Sequence, residues 1–143
     1  MKPGAIIALI STLRGRAYRF LQHELYSHGM KGLAPSHGAI LDELFQSGEI
    51  TMSDIAVRVD RDKSTVTTLV RKLADSGYVA RRRDPDDARI THISLTPAGR
   101  ALEPSFRAIS RDLIRRTYRG FSNREKRRLM EYLERILKNW EEV

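Results

Sequence analysis

Apolar residues near the start of the chain step in fours and threes: Ile6, Ile10, Leu13, Ala17, Phe20. That spacing draws one seam along a helix, and Gly29 and Gly32 break it. Ser36 predicts the start of a second helix with Ile40, Leu41, Leu44 and Phe45 on one face, closed by Gly48. Glu49-Ile50-Thr51-Met52 reads as a short extended piece, and Ser53 as the cap of a third helix carrying Ile55, Ala56 and Val59. Asp60-Arg61-Asp62 predicts a turn whose last residue caps the next helix. That helix places Val66, Leu69, Val70 and Leu73 at i, i+3, i+4 and i+7 and stops at Gly77.

The period then changes. Two strands are expected near 79–82 and 89–95, the second with Thr91, Ile93 and Leu95 alternating onto one face. Asp84-Pro85-Asp86-Asp87 between them has proline where a type I turn favours it, so the pair is a hairpin with a charged tip. Thr96-Pro97 predicts a capped helix carrying Leu102, Phe106, Ile109 and Leu113, ended by Gly120. Ser122-Asn123-Arg124-Glu125 is a capping box for a last helix with Leu129, Leu133, Ile136 and Trp140 on one face.

The fold class is therefore mainly α with a small β-hairpin (α+β), a single domain over 1–143. A compact unit at 36–96 is flanked by long helices at 1–35 and 97–143. The apolar seams at both ends have no evident cover within one chain, which points to a second copy related by a two-fold axis. A closed monomeric bundle is the alternative, and the short helices between the ends make it awkward.

Charge changes the picture next. Lys and Arg number 26 against 18 Asp and Glu, a formal net charge of +8. An excess of that size directs attention to polyanions, nucleic acid before acidic membrane. No cysteine is present, which removes disulfides and thiolate chemistry and fits a cytoplasmic protein. The apolar run at 5–10 is too short for a membrane span and is followed by Arg14, Arg16 and Arg19, so it reads as a buried helix. No Gly-rich phosphate loop, nucleophile–base arrangement or convincing carboxylate pair points to an enzyme. His23, His28 and His37, with Glu24, leave zinc sensing open, but their spacing is not that of a metal motif, so no metal or other cofactor is assigned. Tyr18, Tyr26 and Phe45 suit either an aromatic-ligand pocket or the core.

On the helix Lys63–Asp75 the aliphatic face fixes the opposite one: Ser64, Thr65, Thr67, Thr68, Arg71 and Lys72. Small hydroxyls let a helix approach base edges, and arginine can grip guanine or a phosphate. A solvated polar face is the plainer alternative. The preceding helix and turn make this a helix-turn-helix, which presents its second helix outward. The hairpin adds Arg81, Arg82 and Arg83 on one arm and Arg89 on the other. An arginine there can enter a narrow minor groove. Asp87, two residues before Arg89, can bond that arginine or the turn amides. Residues 107–138 hold a further basic excess, assigned to solvated helix faces.

Residues 55–99 resemble the winged-helix domain of the multiple antibiotic resistance regulator (MarR) family. The match lies in Ile55-Ala56, Lys63-Ser64-Thr65-Val66-Thr67-Thr68-Leu69-Val70, Leu73, Gly77-Tyr78-Val79-Ala80-Arg81, Asp84-Pro85-Asp86-Asp87-Ala88-Arg89 and Leu95-Thr96-Pro97-Ala98-Gly99. The resemblance implies a winged helix-turn-helix homodimer with long N- and C-terminal dimerisation helices. It implies recognition helices in successive major grooves of an inverted-repeat operator, Arg89 in the minor groove and Asp87 buttressing it. It also implies a regulator, commonly a repressor, released by a small-molecule effector whose binding residues the sequence leaves unknown. Two departures stand out: Asp60 where many members have Gly in the turn, and Ala88 where many have a second wing arginine. Nucleic-acid binding without regulatory specificity, to architectural DNA or RNA, is the other reading.

Overall fold

Helices α2 (Pro35–Ser47), α3 (Met52–Arg58) and α4 (Lys63–Asp75) converge because each turns one aliphatic stripe to a common centre. Ile40, Leu41, Leu44, Ile55, Val66, Val70 and Leu73 are wholly removed from solvent there, with Ile93 completing the cluster. Burying an aliphatic side chain of this kind contributes roughly 1.5–3 kcal/mol, so this centre anchors everything displayed on its outside. In this computed structural model residues 1–141 are described.

Helix α1 (Ile6–Ser27), after a 3₁₀ turn at Pro3–Ala5, precedes that cluster. Its C-terminal end joins the core through Leu25, while Ile6, Ile7, Leu9, Ile10 and Leu13 stay exposed. Helix α2 opens one residue earlier than the sequence pattern indicates, at Pro35, whose fixed φ suits the first helical position. The orphan amide of Ala34 donates to His37 Nδ1 at 2.9 Å. Helix α3 is capped by Thr51, not Ser53: Thr51 is extended, and its Oγ1 accepts from the Asp54 amide at 3.1 Å.

Ile50 and Thr51 form a strand, β1, rather than an isolated extended piece. With β2 (Val79–Arg83) and β3 (Thr91–Leu95) it makes an antiparallel sheet in the order β1-β3-β2. Ile50 and Arg81 both lie opposite Ile93, and Thr51 and Arg82 both lie opposite His92. Arg89 and Ile90 belong to the turn, so β3 begins at Thr91 rather than at 89.

Thr96 caps α5 (Pro97–Arg100) by accepting from the Gly99 amide at 3.1 Å. One continuous helix to Gly120 was expected; instead α6 (Glu103–Thr117) starts afresh. Pro104 explains the break, since it lacks the N–H that would bond the Arg100 carbonyl and its ring would crowd that oxygen. Gly99 lies so close to β2 that a Cβ on it would sit 2.0 Å from the Tyr78 carbonyl oxygen.

The chain divides into two compact units, Met1–Ser110 and Arg111–Val143. Within the second, α7 (Asn123–Glu141) opens on the expected capping box: Glu125 Oε2 accepts from the Ser122 amide and Ser122 Oγ from the Glu125 amide. Leu129 and Ile136 are half-buried, whereas Met130, Leu133, Leu137 and Trp140 remain exposed. Among the described residues no helix is long and apolar enough to cross a membrane.

Candidate nucleic-acid interface

The turn between α3 and α4 depends on Asp60, whose φ of 54° is left-handed. Asp tolerates that region better than most side chains, which accounts for its use in place of glycine. Asp62 then ends the turn in extended geometry, and its Oδ1 accepts from the Thr65 amide at 2.7 Å and from Ser64 Oγ at 3.1 Å. These bonds, the Thr65 amide first, hold the Asp62 carboxyl below its usual range. A carboxylate at a helix start also matches the positive end of the helix dipole.

With Val66, Val70 and Leu73 sealed inside, α4 shows Ser64, Thr68, Arg71 and Lys72 to solvent, and Thr65 and Thr67 are half-buried at the edge of that face. Thr67 and Thr68 donate their hydroxyl protons to the Lys63 and Ser64 carbonyls, at 2.7 and 3.2 Å. Their outward lone pairs stay available as acceptors. Lys72 also bears on His37: burial, and next the Lys72 charge, push the His37 imidazole below its ordinary value.

The wing is a basic arm with a braced tip. Asp84 N donates to the Ile90 carbonyl at 2.9 Å and Ile90 N to the Asp87 carbonyl at 3.0 Å, closing the turn. Asp87 then grips Arg89 in a fork: Nε to Oδ1 and Nη2 to Oδ2, both 3.0 Å, with the Arg89 amide also on Oδ1 at 3.0 Å. The pairing lowers the Asp87 pKa and raises that of Arg89. Even so, the Arg89 side chain is 90% exposed. It is aimed without being covered, as a groove-reading arginine needs to be.

The three consecutive arginines do not act alike. Strand alternation puts Arg81 and Arg83 on the face shared with Ile93 and Thr91, and Arg82 on the opposite face with His92. Arg81 and Arg83 have their residues exposed to solvent. Arg82 instead donates from Nη2 to Glu49 Oε1 at 2.6 Å. Residue spacing gives no hint of that Glu49 contact; it follows only from β1 pairing with β3.

The remaining polar residues separate. His23 lies 3.5 Å from Ser27 Oγ, His28 Nδ1 is 2.8 Å from the Glu24 carbonyl, and His37 caps α2. No three metal-ligating side chains come together among the described residues. Phe45 packs on Phe106, centroids 5.4 Å apart, as a core aromatic. Tyr26 lies beneath Lys31. Tyr18 does line a cavity of about 250 Å³, together with Arg14, Leu21, Ser36, Arg61 and Leu69.

Comparison with known proteins places this geometry. The family model described as "MarR family" matches residues 33–91. An uncharacterized HTH-type transcriptional regulator of Bacillus subtilis (strain 168) is 32% identical over 108 residues, covering 76% of this chain and 66% of that protein. The chain thus spans slightly under two thirds of the length of that curated relative. A MarR transcriptional regulator from Methanosarcina mazei Go1 superimposes with a TM-score of 0.83 at 26% identity, covering 96% of each chain. The structure of reduced AbfR bound to DNA superimposes with a TM-score of 0.76 at 25% identity, over 96% of this chain and 91% of that one.

Proposed function

This chain belongs to the MarR family of transcriptional regulators, and from that premise we propose that it regulates transcription as a homodimer bound to a specific double-stranded DNA operator. The observation that carries the proposal is α4: its aliphatic side is sealed, and Ser64, Thr68, Arg71 and Lys72 face outward beside a wing whose Arg89 is held by Asp87. In this reading Thr65, Thr67 and Thr68 meet base edges or phosphates, Arg71 and Lys72 grip base edges or backbone, and Arg81 and Arg83 follow phosphates along the groove. Arg89 enters the adjoining minor groove, where A·T-rich DNA concentrates negative potential.

The exposed apolar stripes of α1 and α7 favour a second copy as their cover. Two recognition helices related by a two-fold axis would read half-sites about 10 bp apart. The segments 1–35 and 97–143 serve as the dimerisation elements, and the protein acts in the cytoplasm as a regulator, not an enzyme.

Effector control is favoured by the cavity bordered by Tyr18 and Arg14 of α1, Ser36 of α2, Arg61 of the turn and Leu69 of α4. A small molecule seated there touches both the first helix and the recognition helix, so it can favour one placement of α4 over another. Release of a repressor from its operator is the outcome this arrangement suits.

Selecting bound sequences from a random duplex pool at fixed salt tests the proposal. An inverted repeat should emerge, and Arg71→Ala should relax preference at defined positions. Binding with no preferred sequence, or preference for RNA, would replace the regulator with a non-specific nucleic-acid binder.

A further inference from the structure

Glu49 stands just ahead of β1, and one oxygen of its carboxylate is contested. Arg82 Nη2 donates to Oε1 at 2.6 Å, while His92 Nδ1 lies 3.5 Å from the same atom. On its far side His92 Nε2 is 3.9 Å from Asp84 Oδ2. The arginine contact is short and charge-assisted. Both imidazole separations exceed the length of a formed hydrogen bond, so the ring is placed between two carboxylates without being bound to either. The groups that face one another here are Glu49 ahead of β1, Arg82 on β2, Asp84 at the turn and His92 on β3, with the uncharged Thr51 of β1 opposite His92.

We propose that Glu49, Arg82 and His92 form an acid-sensitive latch at the base of the wing, which withholds Arg82 from DNA until His92 takes up a proton. A neutral imidazole has one donor and one acceptor nitrogen; a protonated one donates from both. His92 can then close on Glu49 and Asp84 together, and its positive charge repels the guanidinium that shares Oε1. Arg82 swings off its carboxylate toward solvent, where its side chain is already 54% exposed. One proton taken up per wing therefore frees one cation for a phosphate. The Glu49 pairing with Arg82 is the resting state, and DNA affinity rises once His92 is protonated. The final step rests on the DNA-binding reading above; the latch itself does not.

Both parts are measurable on the full chain. In the free protein, the Arg82 Nε–H resonance should move with the His92 ring titration, and should cease to do so in His92→Asn. An Arg82 resonance indifferent to His92 overturns the latch. With a 20–30 bp duplex, a length of the usual site scale, the wild-type slope of log affinity against log salt should steepen at acidic pH by about two, roughly one for each wing of the dimer. His92→Asn and Arg82→Gln should show the same slope at neutral and acidic pH. Glu49→Gln should behave at neutral pH as the wild type does in acid. His37 titrates as well but remains in place in His92→Asn, so an acid steepening of the salt slope that survives that substitution undiminished overturns the proposal. A latch that titrates in a chain binding no duplex at any pH supports the latch and refutes the DNA reading instead.

Discussion

Gly99→Ala isolates the contact that fixes the wing to the helices after it. An alanine Cβ at this position would lie 2.0 Å from the Tyr78 carbonyl oxygen, 2.9 Å from its carbon and 3.1 Å from Leu95 Cδ2. Carbon and carbonyl oxygen normally approach no nearer than about 3.3 Å, so α5 and the start of β2 must part by more than about 1 Å. The obstacle is backbone, which no rotamer change can relieve. Overpacking of this kind costs about 1–3 kcal/mol. The same movement stretches two bonds at the junction: Thr96 N to the Tyr78 carbonyl, 3.1 Å, and Thr96 Oγ1 to the Gly77 carbonyl, 2.6 Å. At about 1 kcal/mol each, the total destabilisation is about 3–5 kcal/mol. Urea unfolding at one fixed protein concentration should show a lower midpoint with an unchanged slope. Heating should show a fall in Tm on the order of 10 °C. A Gly99→Ala protein within about 0.5 kcal/mol of wild type would refute the reasoning, because it would mean the junction is free to open.

Arg89→Ala should weaken operator binding about tenfold to a hundredfold, mostly at A·T-rich flanks, as expected for loss of a specific groove contact; an equal loss on every sequence would make Arg89 a phosphate contact. Asp87→Asn keeps the arginine but halves its fork, so binding assays should show a smaller loss in the same direction. His37 caps α2 only while its Nδ1 is unprotonated, and its folded pKa is depressed, so its contribution is complete above the unfolded value near 6.5 and is lost as pH falls through the lower folded value. Urea midpoints followed from neutral to acid pH should therefore drop less steeply in His37→Asn than in wild type. Leu133→Glu combined with Leu137→Glu places charge on the exposed stripe of α7, and sedimentation should report monomers; an unchanged dimer would remove that stripe from the interface.

Much of this architecture follows from periodicity and caps, since these are local. Asp62 is readable as the α4 cap because its partner Thr65 is three residues away, and the outward face of α4 follows once Val66, Val70 and Leu73 are known to point in. Asp87 and Arg89 are legible for the same reason: a carboxylate and a guanidinium two residues apart in a tight turn can reach each other. The break between α5 and α6 was also available, in Pro104, but the apolar spacing of Leu102, Phe106 and Ile109 runs through it and suggests one helix. Periodicity reports which face is buried, not whether each backbone hydrogen bond can form.

Arg82 shows where local reading stops. In the sequence it is the middle of three arginines and looks like the centre of a basic arm. The pleat turns it away from Arg81 and Arg83, and Glu49, 33 residues earlier, is brought to it only by the pairing of β1 with β3. Its charge is then matched before any phosphate arrives. A count of basic residues therefore overstates what the resting wing offers to DNA, and the arginine that Glu49 holds is the one whose availability can change without any change in fold.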